Sequence, residues 1–284
     1  MTDAEIDYEV DADDLTLAAP REIADDAELS LVVDDLHVTY RAFGGKRLGT
    51  AAARKQSFVS KLLSQGRQHV GAVNEVKAVK GISFVARRGE SIGIVGINGS
   101  GKSTLLRAIA GLIPPTKGSV YVSGEPSLLG VNAVLMGDLT GERNIMIGGL
   151  ALGMTKKEVT DAFDDIVDFA GIGDFVYMPM KAYSSGMGAR LRFAISASAV
   201  PDILMIDEAL ATGDATFRNK STERINEIRE QAGTVFLVSH SLATVEAMCS
   251  RVMWVHQGEL VADGPAKEVC AQYKAFVAKT RTKR

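Results

Sequence analysis

The chain has 284 residues, 46% apolar and 24% charged, with a net charge of −3. That size and mixture suit one large globular domain or two intimate subdomains, and they exclude a small disulfide-framed scaffold. No apolar run approaches the ~18–20 residues that a spanning helix needs, and the only two cysteines, Cys249 and Cys270, lack metal-like spacing and fit a reducing compartment as small core residues.

In chain order, residues 1–28 hold eleven acids against one base, Arg21, for a local charge of −10 that leaves +7 on the remainder. Such an acidic, weakly apolar leader is expected to be disordered and solvated. Residues 29–40 (LSLVVDDLHVTY) read as a strand. Residues 41–77 form a basic insertion, with Arg41, Lys46, Arg47, Arg54, Lys55, Lys61, Arg67 and Lys77 against Glu75 alone. Within it, Phe58, Val59, Leu62 and Leu63 recur at helical spacing and predict a basic amphipathic helix over about 54–66.

Residues 78–96 read as a hairpin leading into a buried strand, then a Gly-rich turn and a helix from about 102 to 111, stopped by Gly111 and Pro114-Pro115. Short strands are expected over 119–135, and helical periods dominate about 138–200. Strand 203–206, helix 216–231, strand 234–239, helix 242–248 and strands 251–256 and 259–262 then restore an α/β alternation. A basic tail, 276–284, follows, and its end KTRTKR is expected to fray.

The chemistry concentrates at a few points. Residues 96–103 read GINGSGKS, followed by Thr104, and fit the G-x-x-x-x-G-K-[ST] pattern between an apolar strand (SIGIV) and a helix. Gly96, Gly99 and Gly101 allow a tight curl, so that the backbone N–H groups of Ile97, Asn98, Ser100 and their neighbours face one centre. Lys102 adds a point charge for β- and γ-phosphates, and Ser103 a hydroxyl for Mg²⁺. In ILMIDE (203–208), Asp207 emerges from a buried strand where it can hold Mg²⁺, and Glu208 can polarise an attacking water. His240, after the strand TVFLV, can reach a γ-phosphate, and Asp214 lies seven residues past Asp207. YSSGMGARL (183–191) places Ser184, Ser185 and Gly186 at a helix start, a second anion site.

Taken in that order, these motifs resemble the ABC ATPases, and the resemblance covers about residues 30–275. The wording YSSGM, RLRFAIS and PDILMIDEALATGDATF is similar to the subfamily that exports teichoic acid, O-antigen and related wall polysaccharides. The resemblance implies an α/β P-loop NTPase of ABC type. It would have a helical subdomain between P-loop and signature, an antiparallel β-subdomain on the N-terminal side, and an ATPase domain over 29–275. It also implies that Gly96–Thr104 wrap the phosphates of ATP, that Asp207 serves Mg²⁺, and that Glu208 and His240 serve hydrolysis, while Ser184, Ser185 and Gly186 complete the site of a second copy. Tyr40 matches the family's adenine-stacking aromatic, with Phe43 as a competitor.

There are two departures from the family pattern. No Gln occurs from 105 to 189, where the family has one near Mg²⁺, and Asn132 stands near that place. The 41–77 insertion is longer than usual and is expected to meet the membrane or its protein partner, with a solvated surface loop as the alternative. The expected partners are a second identical ATPase subunit and two copies of an integral membrane subunit at the cytoplasmic face of the cell membrane. The apolar stretch IMIGGLALGM would dock on that subunit. The polysaccharide would be recognised mainly elsewhere, because little chain follows the last strand. The alternative is a soluble ABC ATPase acting on nucleic acid or ribosomes, against which there is no strong basic block with interleaved aromatics.

Overall fold

The computed structural model describes residues 27–43, 73–129, 135–207, 215–239 and 241–281. Two sheets and a helical subdomain make up the architecture. The first sheet has three antiparallel strands in the order β2-β1-β4, from β1 (Leu29–Phe43), β2 (Val73–Arg87) and β4 (Lys117–Val122). The second has six strands in the order β5-β6-β7-β3-β8-β9. Its members are β3 (Ser91–Val95), β5 (Pro126–Leu128), β6 (Ile203–Asp207), β7 (Thr234–Val238), β8 (Arg251–His256) and β9 (Glu259–Pro265). All pairs in it are parallel except β8 with β9.

The alternation of side chains sorts the six-stranded sheet into two cores. Ile92, Ile94, Ile203, Met205, Phe236 and Val238 face the antiparallel sheet. Between the two sheets lies α1 (Lys102–Ile109), which contributes Leu105, Leu106 and Ile109 to that core. Val95, Leu204, Ile206, Val235, Leu237 and Trp254 face the opposite way and pack with α6 (Ala215–Gln231), α7 (Leu242–Met248) and α8 (Ala266–Arg281). The helical subdomain comprises α2 (Gly141–Ala151), α3 (Lys156–Asp161), α4 (Phe163–Ala170) and α5 (Ser185–Ser196), with two short 3₁₀ turns, Gly173–Tyr177 and Met180–Ala182. Ile145, Val159, Ile166, Val176, Leu191 and Ile195 form its own core.

Three expectations are corrected. β2 and β3 are not a hairpin: β2 pairs with β1, and the turn at Arg88–Glu90 carries the chain into the other sheet. The basic tail is helical as far as Arg281, because Tyr273 and Phe276 of α8 seat on Trp254 with ring centroids 5.7 and 5.0 Å apart. The stretch IMIGGLALGM is only partly a surface. Ile145 is fully buried, Gly148 and Gly149 let α2 approach Ile195 and Val159, and Ile147 and Leu150 are left exposed.

The insertion also begins later than 41 and ends earlier than 77. β1 runs to Phe43, which pairs with Val73, so the two ends of segment 44–72 are neighbours across a ladder. The amphipathic helix expected over 54–66 lies outside the described residues, as do the leader 1–26, Asn132, Glu208, Asp214, His240 and residues 282–284.

Candidate functional site

The site is assembled at the C-terminal ends of the parallel strands, the edge where open α/β sheets bind ligands. β3 ends at Val95, and Gly96 to Gly101 curl into α1. The glycines at the two ends of this loop are required. A Cβ on Gly96 would fall on the Val255 carbonyl, and one on Gly101 on the Ala78 carbonyl, with Gly101 held at φ 109°. The Lys102 ammonium folds back across the mouth of the loop and donates to the carbonyls of Gly96 at 2.7 Å and Ile97 at 3.2 Å. No acid stands in the first turn of α1, so the helix presents a positive end to an anion. Ser103 and Thr104 follow, both half-buried.

Asp207 lies two strands away at the same level. It is in register with Val238, which is in register with Ile94, two residues before Gly96. At about 4.8 Å per strand, its backbone is about 10 Å from β3. A carboxylate there is half-buried and stands across β7 from the loop. Glu208 is the next residue in the chain, and Ser239 and Ser241 flank His240 at the end of β7; these two predicted site residues and Asp214 are outside the described set. Ser241 caps α7 by accepting from Thr244 N–H at 3.2 Å.

Tyr40 reaches the loop because of a bulge. Leu31 and Val33 point inward, as do Leu36 and Val38, so the inward parity changes at Asp34–Asp35, where the ladder shifts and Asp35 adopts φ 45°. The change puts Tyr40 on the side of α1, with its hydroxyl 3.4 Å from Thr104 Oγ1 and its ring 40% exposed. An exposed aromatic next to this Gly-rich loop is suited to stacking on a flat heterocycle. The bulge is held by Asp35, whose carboxylate accepts from Lys117 at 2.7 Å and sits 2.9 Å from His37 Nε2. Those two bonds, Lys117 first, hold its carboxyl below the ordinary value.

The third component is the N-terminus of α5. Ser184 caps it, accepting from Met187 N–H at 3.2 Å. Ser184, Ser185 and Gly186 are exposed, and among the described residues a Cβ on Gly186 would meet only Ser184 Oγ, at 3.9 Å. Two residues not singled out from the sequence hold this end of the helical subdomain. The Tyr183 hydroxyl donates to Phe175 O at 2.7 Å. Buried Asn144 accepts from Met136 N–H and donates to the carbonyls of Met136, Leu139 and Thr140, fixing the loop before α2. An Asn inside a helical repeat was the available signal for the second.

Residues 79–211 match the family model described as ABC transporter. Over these residues the chain carries a domain of the ABC transporter family. Its similarity extends to curated proteins named teichoic acids export ATP-binding protein TagH. The chain is 47% identical to that of Bacillus anthracis over 71% of its own length and 37% of the relative's, and 47% identical to that of Listeria innocua over 70% and 60%. A third, from Lactiplantibacillus plantarum, is 48% identical over 70% of this chain and 55% of its own. The chain thus spans between 37% and 60% of the length of these relatives.

Among solved structures, one described as the ATP-binding subunit of an ABC transporter aligns with a TM-score of 0.62 at 22% identity, over 86% of this chain and 93% of that one. A dimeric post-hydrolysis ATP-binding cassette bound to ADP and Pi aligns with a TM-score of 0.59 at 19% identity, over 83% and 98%. Both support the ABC ATPase fold. The ABC transporter domain therefore has the expected layout, an α/β P-loop core with an antiparallel sheet on the N-terminal side and a helical subdomain between P-loop and signature. Among the described residues, no helix is long and apolar enough to cross a membrane.

Proposed function

We propose that the chain hydrolyses ATP as the nucleotide-binding subunit of an ABC exporter, working as a head-to-tail pair. The observation that carries this reading is the presence of two helix N-termini built for anions, of which one chain can use only one on its own nucleotide. α1 opens from the Gly96–Gly101 loop, whereas the first turn of α5 stands exposed on the helical subdomain, free of acids and open in front of Gly186. A second copy, turned around, would supply its Ser184–Gly186 turn to the triphosphate held by the first, which is also the arrangement the exporter resemblance implies.

The residues fit the group they would hold. The loop is too tight for a Cβ at Gly96 and Gly101, so backbone amides line the cradle, and Lys102 exchanges its two carbonyl partners for phosphate oxygens. Ser103 and Asp207 are the oxygen donors for Mg²⁺, with Asn132 as a further candidate, and that ion supplies neutralisation of phosphate charge when bound. Tyr40 stacks on the adenine, Glu208 orients the attacking water, His240 contacts the γ-phosphate, and Asp214 borders it. Closure of the pair excludes water and stabilises the charge that develops during transfer.

The names of the relatives support the cargo, a teichoic-acid-like, lipid-linked cell-surface polysaccharide moved through a separate membrane subunit present in two copies, with this chain at the cytoplasmic face. The exposed Phe175, Tyr177 and Met178, just before the signature, with Ile147 and Leu150, are the apolar surface for that subunit. The test is a Glu208→Gln variant incubated with ATP. It is expected to retain nucleotide, to pair, and to bring down a multi-spanning membrane protein from solubilised membranes. Recovery of ribosomes or nucleic acid instead would favour the soluble alternative, and failure to bind nucleotide would refute the enzyme reading.

A further inference from the structure

The phosphate loop does not stand alone; it leans on the turn between β8 and β9. Gln257 and Gly258 join these strands with φ of 50° and 86°, both left-handed as a two-residue type I′ hairpin turn requires. The N–H of Gly258 donates to Ser100 O at 2.8 Å, in the middle of the loop. The carbonyl of Gly258 accepts from Lys80 N–H, also at 2.8 Å. Ala78 is skipped in the β1–β2 ladder, between the pairs Val38↔Val79 and Thr39↔Lys77, and its carbonyl lies against Gly101. A Cβ on Gly258 would come 2.8 Å from that same Ala78 oxygen, and one on Gly101 would come 3.6 Å from Gly258 Cα. One step back, the Val255 carbonyl closes on Gly96. The loop is thus clamped at its start, middle and end by backbone from β8, the turn and β2, and Gly258 is the residue common to the last two contacts.

We propose that Gly258 is a positioning residue for nucleotide binding, holding the Ser100 peptide so that the amides of Gly101, Lys102 and Ser103 converge on the phosphates. This rests on reading Gly96–Thr104 as the triphosphate cradle. Gly258 touches no ligand atom itself. A side chain there must push on the Ala78 carbonyl and draw the turn away from Ser100, which loses its donor.

The experiment titrates full-length variants with a fluorescent ATP analogue and records their melting temperatures. Gly258→Ala is compared with Gly153→Ala, a glycine at φ 84° with open space where the Cβ would go. Both carry the backbone penalty of a left-handed alanine, so both should melt lower, Gly258→Ala by more because it also meets the Ala78 carbonyl and loses the Ser100 bond. Only Gly258→Ala is expected to weaken nucleotide binding, by about tenfold, the scale of one backbone hydrogen bond. Gly258→Asn separates the causes, since Asn tolerates a left-handed backbone yet carries the same Cβ. It should recover part of the melting temperature but not affinity, and it keeps the test open if Gly258→Ala does not fold. Affinity equal to that of Gly153→Ala, or restored by Asn, overturns the proposal. A wild-type chain that binds no nucleotide instead overturns the reading beneath it.

Discussion

Replacing Ser184 separates the two tasks given to the N-terminus of α5. In the isolated chain its hydroxyl is a helix cap, accepting from Met187 N–H. Ser184→Ala should cost about 1 kcal/mol, the usual value of such a cap. Ser184→Asp should cost nothing and can gain a few tenths of a kcal/mol, because a carboxylate caps as well as a hydroxyl and favours the positive helix end. The paired state reverses this ranking. A carboxylate about 4 Å from a phosphate oxygen is repelled by about 4 kcal/mol at an effective dielectric of 20, appropriate to a closed and largely dry interface. That is about a thousandfold loss of pairing for each of the two sites. The assay is sedimentation velocity on the Glu208→Gln background with saturating ATP. Ser184→Asp should stay monomeric while melting at or above the parent temperature, and Ser184→Ala should melt lower and pair weakly. ATP-driven pairing of the Asp variant at parental strength would refute the claim that this turn meets the partner's nucleotide.

Other expectations test the packing around the site. Arg251 bonds Asp263 through two contacts of 2.6 Å, Glu90 at 3.2 and 3.3 Å, and Val85 O at 2.9 Å. Arg251→Ala leaves the partly buried Glu90 and Asp263 carboxylates and the exposed Val85 carbonyl without this donor and should cost about 2–3 kcal/mol, a fall of about 5–10 °C in melting temperature by calorimetry. The Ser100 hydroxyl is buried with no hydrogen-bond partner among the described residues, so Ser100→Ala should leave nucleotide affinity within about twofold and stability unchanged or higher by up to ~1 kcal/mol. Burial pushes the Cys249 thiol up to about 12 and that of Cys270 up to about 11. At pH 8 about one Cys249 in ten thousand is then thiolate, so native protein should resist iodoacetamide, with labelling followed by mass spectrometry rising steeply above pH 9 and becoming rapid only on unfolding.

The central sheet was legible because its strands are short, uniformly apolar and bounded by turns, as ILMID and TVFLV are. The strand, Gly-rich turn and helix over 91–109 were legible because glycine spacing and a preceding strand leave few other geometries. Elsewhere the linear pattern was silent about partners. β2 and β3 read as a hairpin because alternation says nothing about which sheet a strand joins. Asp34-Asp35 looked like an ordinary polar pair within a strand, although the bulge there is what turns Tyr40 toward Thr104. α2 looked like a docking face because paired glycines in an apolar run do not announce that Ile195 and Val159 will press against them. The Gln257-Gly258 turn gave a hairpin signal at most. Its bond to Ser100 joins residues 158 positions apart, beyond the reach of any local rule.

The pairing of Phe43 with Val73 has a practical meaning for protein engineering. Because the ladder already brings these two positions side by side, a two-residue Asn-Gly link has the reach to join them in hairpin geometry, and the entropic cost of closing so short a connection would be lower than that of the longer segment. The same junction would accept a fluorescent protein or an affinity handle, which makes it a natural port for reporters on this protein.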